Sequence, residues 1–345
     1  ELLPEALAAA RAIQDERSRA NALSALAEKL PPELLPEALA AARAIQSEYS
    51  RANALSALAE KLPDILPEAL AAARAIQDER SRANALSALA EKLPDILPEA
   101  LAAARAIQSE YSRANALSAL AEKLPDILPE ALAAARAIQD ERYRAYALSA
   151  LAEKLPPELL PEALAAARAI QSEDSRAYAL SALAEKLPPE LLPEALAAAR
   201  VIQDERSRAN ALSALAEKLP PELLPEALAA ARAIQSEDYR ANALSALAEK
   251  LPPELLPEAL AAARAIQDEY YRAYALSALA ESLSQMPNAK LFPLWQDTLD
   301  ELSLRTRPNL LQDIKALFPV IFALGDKAAT AELAHAIVDV ARWWK

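Results

Sequence analysis

The chain has 345 residues, no cysteine, a formal net charge of -13 and a hydrophobic fraction of 54% in which aromatics make up only 4% of the chain. Disulfides and thiolate chemistry are excluded, the acidic balance argues against general phosphate-backbone binding, and a single glycine leaves no room for a Gly-rich phosphate loop. No apolar run approaches membrane-spanning length and no signal peptide is visible. The chain opens on Glu1 rather than a methionine, and we expect a tag or leader to have been removed.

Nine copies of one stretch fill most of the chain: LPEALAAARAIQ, a turn, then RANALSALAEKLP. The proline of LPEAL recurs at Pro4, Pro36, Pro67, Pro98, Pro129, Pro161, Pro193, Pro225 and Pro257, a period of 31 or 32 residues. A fixed period in this range predicts stacked helical hairpins. Length alone would allow two or three globular domains, but a solenoid grows along one axis, each unit touching its neighbours. Alanine is the strongest helix former and permits close helix approach, so local propensity and global pattern agree. The predicted fold is all-α: an α-solenoid, or superhelix, of nine helical-hairpin repeats over residues 1–281, with C-terminal capping helices over 282–345 as part of the same solenoid.

In the third repeat Asp64 reads as an N-cap, which places Pro67 in the first turn, where its missing N–H costs nothing. The first helix should run to about Gln77, with Leu66, Leu70, Ala73 and Ile76 on one side. Asp78 is the next N-cap, and the second helix should run from Glu79 to about Leu93 before Pro94 ends it. Most junctions read PPEL. Three read PDIL, at Pro63-Asp64, Pro94-Asp95 and Pro125-Asp126, and predict a small local change in rotation.

The repeats differ at few places. Val201 is the one change inside the first helices. The cap position of the second helix alternates strictly between Asp and Ser from Asp15 to Asp268. Capping accounts for both residue types but not for the alternation, which suggests a two-repeat building block. Three further offsets vary. The first holds Arg17, Tyr49, Arg80, Tyr111, Arg142, Asp174, Arg206, Asp238 and Tyr270. The second is Ser except for Tyr143, Tyr239 and Tyr271, and the third is Asn except for Tyr146, Tyr178 and Tyr274. All nine tyrosines lie at these offsets. At ~100° per residue, Leu26, Leu30 and Leu23 sit near ~20°, ~60° and ~80°, whereas Arg17, Asn21 and Ser18 sit near ~200°, ~240° and ~300°. The variable side chains are therefore expected to face water or a partner.

After Glu281 the repeat stops. The segment from Ser282 holds every phenylalanine and tryptophan and the only glycine, methionine and histidine. It predicts helices over Leu291–Ser303, Leu310–Leu324 and Lys327 to the end, broken at Gly325-Asp326, and it should cover the ninth repeat. No equivalent cap precedes Glu1, so the N-terminal repeat is expected to be a sticky edge open to self-association.

The paired-helix period resembles the tetratricopeptide and HEAT-like solenoid families in architecture, without the tetratricopeptide consensus residues. The segments LLPEALAAARAI and LSALA, with LWQDTL, SLRTRPNLL and VARWW at the end, resemble helical repeat arrays of large bacterial, especially cyanobacterial, multidomain proteins. Natural repeats drift over their whole surface, whereas these differ at chosen offsets. That resembles a consensus-designed repeat protein with a natural C-cap retained, which implies a synthetic product, soluble and cytoplasmic when expressed.

No catalytic constellation is visible. His335 has no second ligand type nearby, the carboxylates recur identically in every repeat, and no metal or cofactor site is expected. Arg11, Arg19 and their equivalents read as helix-surface and inter-repeat contacts rather than anion sites, and Trp343-Trp344 as sealing of the cap rather than a membrane or sugar contact. Drift at exposed helix sites would favour Lys, Glu, Gln and Ala. The observed alphabet of Tyr, Arg, Asp, Ser and Asn is that of recognition surfaces. The expected function is non-enzymatic: a scaffold binding a protein or peptide through these positions, most densely over the fifth to ninth repeats. The alternative is a self-assembling structural scaffold with no external ligand. The offsets of one and four also resemble the base-reading triad of PUF-type repeats, but the acidic charge and absence of a basic stripe weigh against RNA.

Overall fold

A computed structural model describes residues 2–79, 81–82, 85–86, 89, 97–121 and 124–343. Arg80, the end of the second helix in the third repeat, the Pro94-Asp95 junction, Trp344 and the side chain of Trp343 lie outside them. The described residues contain no strand. The fold is an α-solenoid of helical hairpins, as the period predicts. By contacts the chain divides into two compact units, Glu1–Ala166 and Ala167–Lys345.

The helices are short. In the second repeat they span Leu35–Arg43 and Glu48–Ala59, 9 and 12 residues. Such lengths are marginal in isolation, so burial between neighbours must carry them. Leu55 and Leu58 of the second helix, Ala38 and Ala42 of the first, and Ile45 in the turn between them are fully or almost fully buried. A buried leucine contributes roughly 1.5–3 kcal/mol, and alanine at the crossings lets helix axes come close.

Proline sits in the first turn of each first helix, as at Pro36 and Pro67, as expected. The predicted role of Asp64 is corrected. Pro63–Ile65 forms a separate 3-10 turn, and the α-helix begins only at Leu66, with Ile65 at its N-cap and no side-chain cap. The helix ends at Ala75 rather than near Gln77. Second helices are capped as predicted where Asp15 accepts from the Ser18 N–H at 2.8 Å, Ser47 from Ser50 at 3.4 Å and Asp204 from Ser207 at 2.8 Å, but Ser236 makes no side-chain cap and donates to Asp238 instead.

Two recurrent devices fix one repeat on the next. The first helices are joined by arginine–glutamate pairs: Arg43 Nη2 to Glu68 at 2.6 Å, Arg105 Nη2 to Glu130 at 2.7 Å, and Arg11–Glu37, Arg136–Glu162, Arg168–Glu194, Arg200–Glu226 and Arg232–Glu258. These pairs are solvent-exposed and screened by water and salt, so they set register more than stability. The second device is a carboxylate clamp. Glu16 accepts from the backbone N–H groups of Gln46 at 2.9 Å and Ser47 at 2.7 Å, at the second-helix entry of the next repeat. Glu173 does the same for Gln203 at 2.8 Å and Asp204 at 2.6 Å, and Glu237 for Gln267 and Asp268, both at 2.8 Å. Within each repeat, Arg19 and its equivalents donate to the turn, Arg19 to the Ile13 carbonyl at 2.9 Å and Arg113 to Ile107 at 2.9 Å. Arg11 and its equivalents thus make the predicted inter-repeat contacts, whereas Arg19 and its equivalents brace the turn of their own repeat instead.

The cap consists of Asn288–Ser303, Arg307–Ala316 and Phe318–Trp343. The single helix predicted over Leu310–Leu324 is two helices broken at Leu317. Pro319 falls in the first turn of the second of these, where its missing N–H costs nothing. The break at Gly325-Asp326 is present, with Asp326 at φ 58°, ψ -156°, a conformation costly for a residue with a Cβ. Arg264 joins the cap through Glu301 at 3.1 Å and Thr298 at 3.1 Å, and Arg305 donates to the Arg264 carbonyl at 2.7 Å.

Candidate binding site

Within a unit, a second helix touches its own first helix and the second helices beside it, as Glu205–Ala216 touches Glu173–Ala184 and Glu237–Leu247. This corrects the simple projection of the variable offsets. The projection placed them opposite the leucines, but in a stack the flanks of the helix are covered too. The middle offset, near ~300°, lies only about 110° from the centre of the leucine stripe and faces the preceding repeat. Ser50, Ser112, Ser175 and Ser207 are accordingly buried, whereas Ser18, in the first repeat, is exposed.

The other two offsets are more open. Arg17, Arg142, Tyr146, Asp174, Tyr178, Arg206, Tyr270 and Tyr274 are exposed, and so is Tyr143 despite its middle offset. Tyr49, Tyr111, Asp238, Tyr239 and Tyr271 are half-buried, and Tyr49 packs against the hydrophobic core. Arg80 lies outside the described residues. A pairing recurs: the first offset of one repeat meets the second offset of the next. Tyr111 lies on Tyr143 with ring centroids 4.4 Å apart and planes tilted by 32°. Asp174 Oδ1 accepts from the Ser207 hydroxyl at 2.5 Å. Part of what looked like free surface thus fastens the seam. Asp238 is engaged locally as well: it accepts from the Ser236 hydroxyl and from the Tyr239 N–H at 2.8 Å.

In the first unit, four of the candidate residues converge. Tyr111, Arg142, Tyr143 and Tyr146 line an open concavity of about 600 Å³ together with Ser109, Glu110, Ile138 and Asp140. Helix Glu110–Leu120 supplies Tyr111 from its first turn, and helix Glu141–Ala152 supplies Arg142, Tyr143 and Tyr146. The Asp140 cap on the Tyr143 N–H, at 3.0 Å, fixes the start of that helix. Arg142 reaches along one turn, its guanidinium carbon 5.6 Å from the centre of the Tyr146 ring and its Nε donating to the Tyr146 hydroxyl at 3.3 Å. That hydrogen bond also holds the Arg142 guanidinium above its ordinary pKa. Such cation–ring contacts are weak at exposed sites, but they orient the two side chains. The site is thus a preformed patch of ring faces, hydroxyls and one planar cation.

In the second unit, Tyr270 and Tyr271 meet edge to face, with centroids 5.4 Å apart and an interplanar angle of 80°. His335 is exposed, and among the described residues no group of His, Cys, Asp or Glu is arranged to hold a metal ion. No helix among them is long and apolar enough to cross a membrane.

The clamp glutamates lie outside the variable offsets, and their role is to hold one repeat on the next. Their signal was present: a glutamate follows the alternating cap residue in every repeat, from Glu16 to Glu269. The N–H groups of Gln46 and Ser47 hold the Glu16 carboxyl below its ordinary value, and those of Gln203 and Asp204 do so for Glu173.

No protein-family model and no curated protein matches the chain. Among solved structures, Kap121p bound to Nup53p is similar over 98% of this chain and 43% of its own, with TM-score 0.62 and 16% identity. The karyopherin Kap121p bound to the SUMO protease Ulp1p gives TM-score 0.61 and 16% identity over the same shares. Kap121p bound to Pho4p gives 0.61 and 13%, over 98% of this chain and 47% of its own. The chain spans less than half the length of these proteins. At such identities the likeness is one of fold: a helical repeat solenoid.

Proposed function

We propose that the chain is an engineered repeat scaffold that binds a protein or peptide through exposed side chains of its second helices, centred on Tyr111, Arg142, Tyr143 and Tyr146. The observation that carries this reading is the convergence of those four variable residues on one open concavity, in a chain whose framework is otherwise almost invariant. Tyrosine offers large contact area with few rotamers to freeze, and arginine adds planar hydrogen bonding and stacking. The solenoid fold suits such a role: Kap121p, which shares it, was captured bound to Nup53p and to Pho4p. The seam pairs Tyr111–Tyr143 and Asp174–Ser207 narrow the reading, because those residues also hold neighbouring repeats together.

The repeats supply their own control. Tyr143→Ser and Tyr146→Asn restore residues that sister repeats carry at the same offsets, so the variant keeps the framework. A displayed random-peptide library panned on the parent chain should yield clones that lose at least ten-fold in affinity on this double variant. Clones that bind both proteins equally would refute the assignment of the patch.

A further inference from the structure

We infer that the concavity lined by Tyr111, Arg142, Tyr143 and Tyr146 takes a proline-rich peptide in the polyproline II conformation carrying a lysine or arginine. The inference rests on the binding role proposed above and names its ligand class.

The recognition modes open to a peptide can be sorted by what the walls offer. Strand addition needs a free backbone edge. Here the backbone is spent: helices Glu110–Leu120 and Glu141–Ala152 pair their own groups, the Gln139 N–H goes to Glu110 at 2.9 Å and the Tyr143 N–H to Asp140 at 3.0 Å. An amphipathic helix needs an apolar groove. The one aliphatic side chain in the lining is Ile138, which is buried. What remains is a row of tyrosine rings with polar tips.

That row matches a polyproline II chain. Such a chain has no internal hydrogen bonds, so its carbonyls are free to accept from tyrosine hydroxyls and a guanidinium, and its fixed φ means little entropy is lost on binding. Prolyl rings lie flat on aromatic faces. Tyr111 and Tyr143 are already braced on each other, and Tyr146 is held by Arg142, so the platform needs little ordering. Charge selects the flanking residue. The lining carries two carboxylates, Glu110 and Asp140, against one guanidinium, in a chain of net charge -13. A basic side chain is therefore favoured over an acidic one.

The test uses the full chain and three labelled peptides of equal length read by fluorescence anisotropy: one alternating prolines with lysines, one with alanine in place of every proline, and one with glutamate in place of every lysine. The proline–lysine peptide should bind at least ten-fold more tightly than either of the others and lose at least ten-fold on Tyr143→Ser/Tyr146→Asn. Equal binding of the alanine–lysine peptide would reduce the effect to charge and overturn the inference, as would no binding of the proline–lysine peptide. Library clones that are lost on the double variant but contain no proline would sink the ligand class while leaving the binding role standing. Proline–lysine binding that ignores the double variant would overturn both.

Discussion

Arg272 and Asp313 form an ion pair sealed from solvent: Nε to Oδ2 is 2.8 Å and both side chains are fully buried. In other repeats the equivalent arginine pairs with the glutamate one turn earlier on its own helix, as Arg19 does with Glu16 at 3.1 Å and Arg208 with Glu205 at 3.5 Å. In the ninth repeat the cap provides the partner instead. Burial pushes the Asp313 carboxyl above its ordinary value, while Arg272 works in the opposite direction. Removing one member of a buried pair strands the other, at a cost of roughly 3–5 kcal/mol, whereas replacing both with apolar residues is often neutral. Asp313→Ala should therefore release the cap. Hydrogen exchange should rise at Leu302 and Leu317 and stay unchanged at Leu55, and Arg272→Met with Asp313→Leu should restore most of the protection. Unchanged exchange in the single variant would show that the pair does not hold the cap.

The seam pair Asp174–Ser207 makes a parallel prediction. Ser207 is buried and its hydroxyl donates to the Asp174 carboxylate. A hydrogen bond to a charged group contributes about 1.5–3 kcal/mol. Asp174→Ala should lower the urea midpoint, and the loss should shrink when Ser207→Ala is already present. Additive losses in this double-mutant cycle would show that the two residues are uncoupled.

Val201 tests the opposite expectation. It closes the helix Leu192–Arg200 at its C-cap and is 63% exposed. The repeats that carry alanine there fold in the same way, so Val201→Ala should change stability by no more than about 0.5 kcal/mol in chemical denaturation. A larger shift would point to a contact made by the valine methyls.

The helices, their order and the cap were legible because the signals are local: proline in the first turn, Asp or Ser at the second-helix cap, leucines at helical spacing. What escaped depends on neighbours. An angular projection of one helix assigned Ser50, Ser112 and Tyr111 to the open face, because it contains no flanking helix. Stacking buried the two serines and half-covered Tyr111. The same holds for Glu16. In sequence it is one acidic residue in a first helical turn, where the helix dipole would suffice to explain it. Only the next repeat, 30 residues on, reveals the Gln46 N–H that it accepts. Asp64 failed for a different reason: Pro63 starts a 3-10 turn ahead of the helix, and the cap geometry moves to Ile65.

The clamp makes acid the expected weak point of the array. The Glu16 and Glu173 carboxyls are held down by backbone N–H groups of the next repeat, Glu68 and Glu130 by Arg43 and Arg105, and Asp15 and Asp204 by the serines they cap. A carboxyl whose folded value lies below its unfolded one stabilises the fold above the unfolded value, and that contribution disappears as pH falls through the folded one. The ordinary values are 4.5 for glutamate and 3.8 for aspartate. Thermal midpoints should therefore be level from pH 7 down to about 5 and then fall progressively below the glutamate value. Because each clamp joins one repeat to the next, its loss subtracts from the coupling between repeats as well as from each hairpin. The unfolding transition should broaden as it moves down. Glu16→Gln with Glu173→Gln keeps the side-chain length but removes two of the titrating groups, so this variant should start lower at pH 7 and show a flatter acid limb. An acid limb as steep as that of the parent would assign the pH dependence to carboxylates other than the clamp.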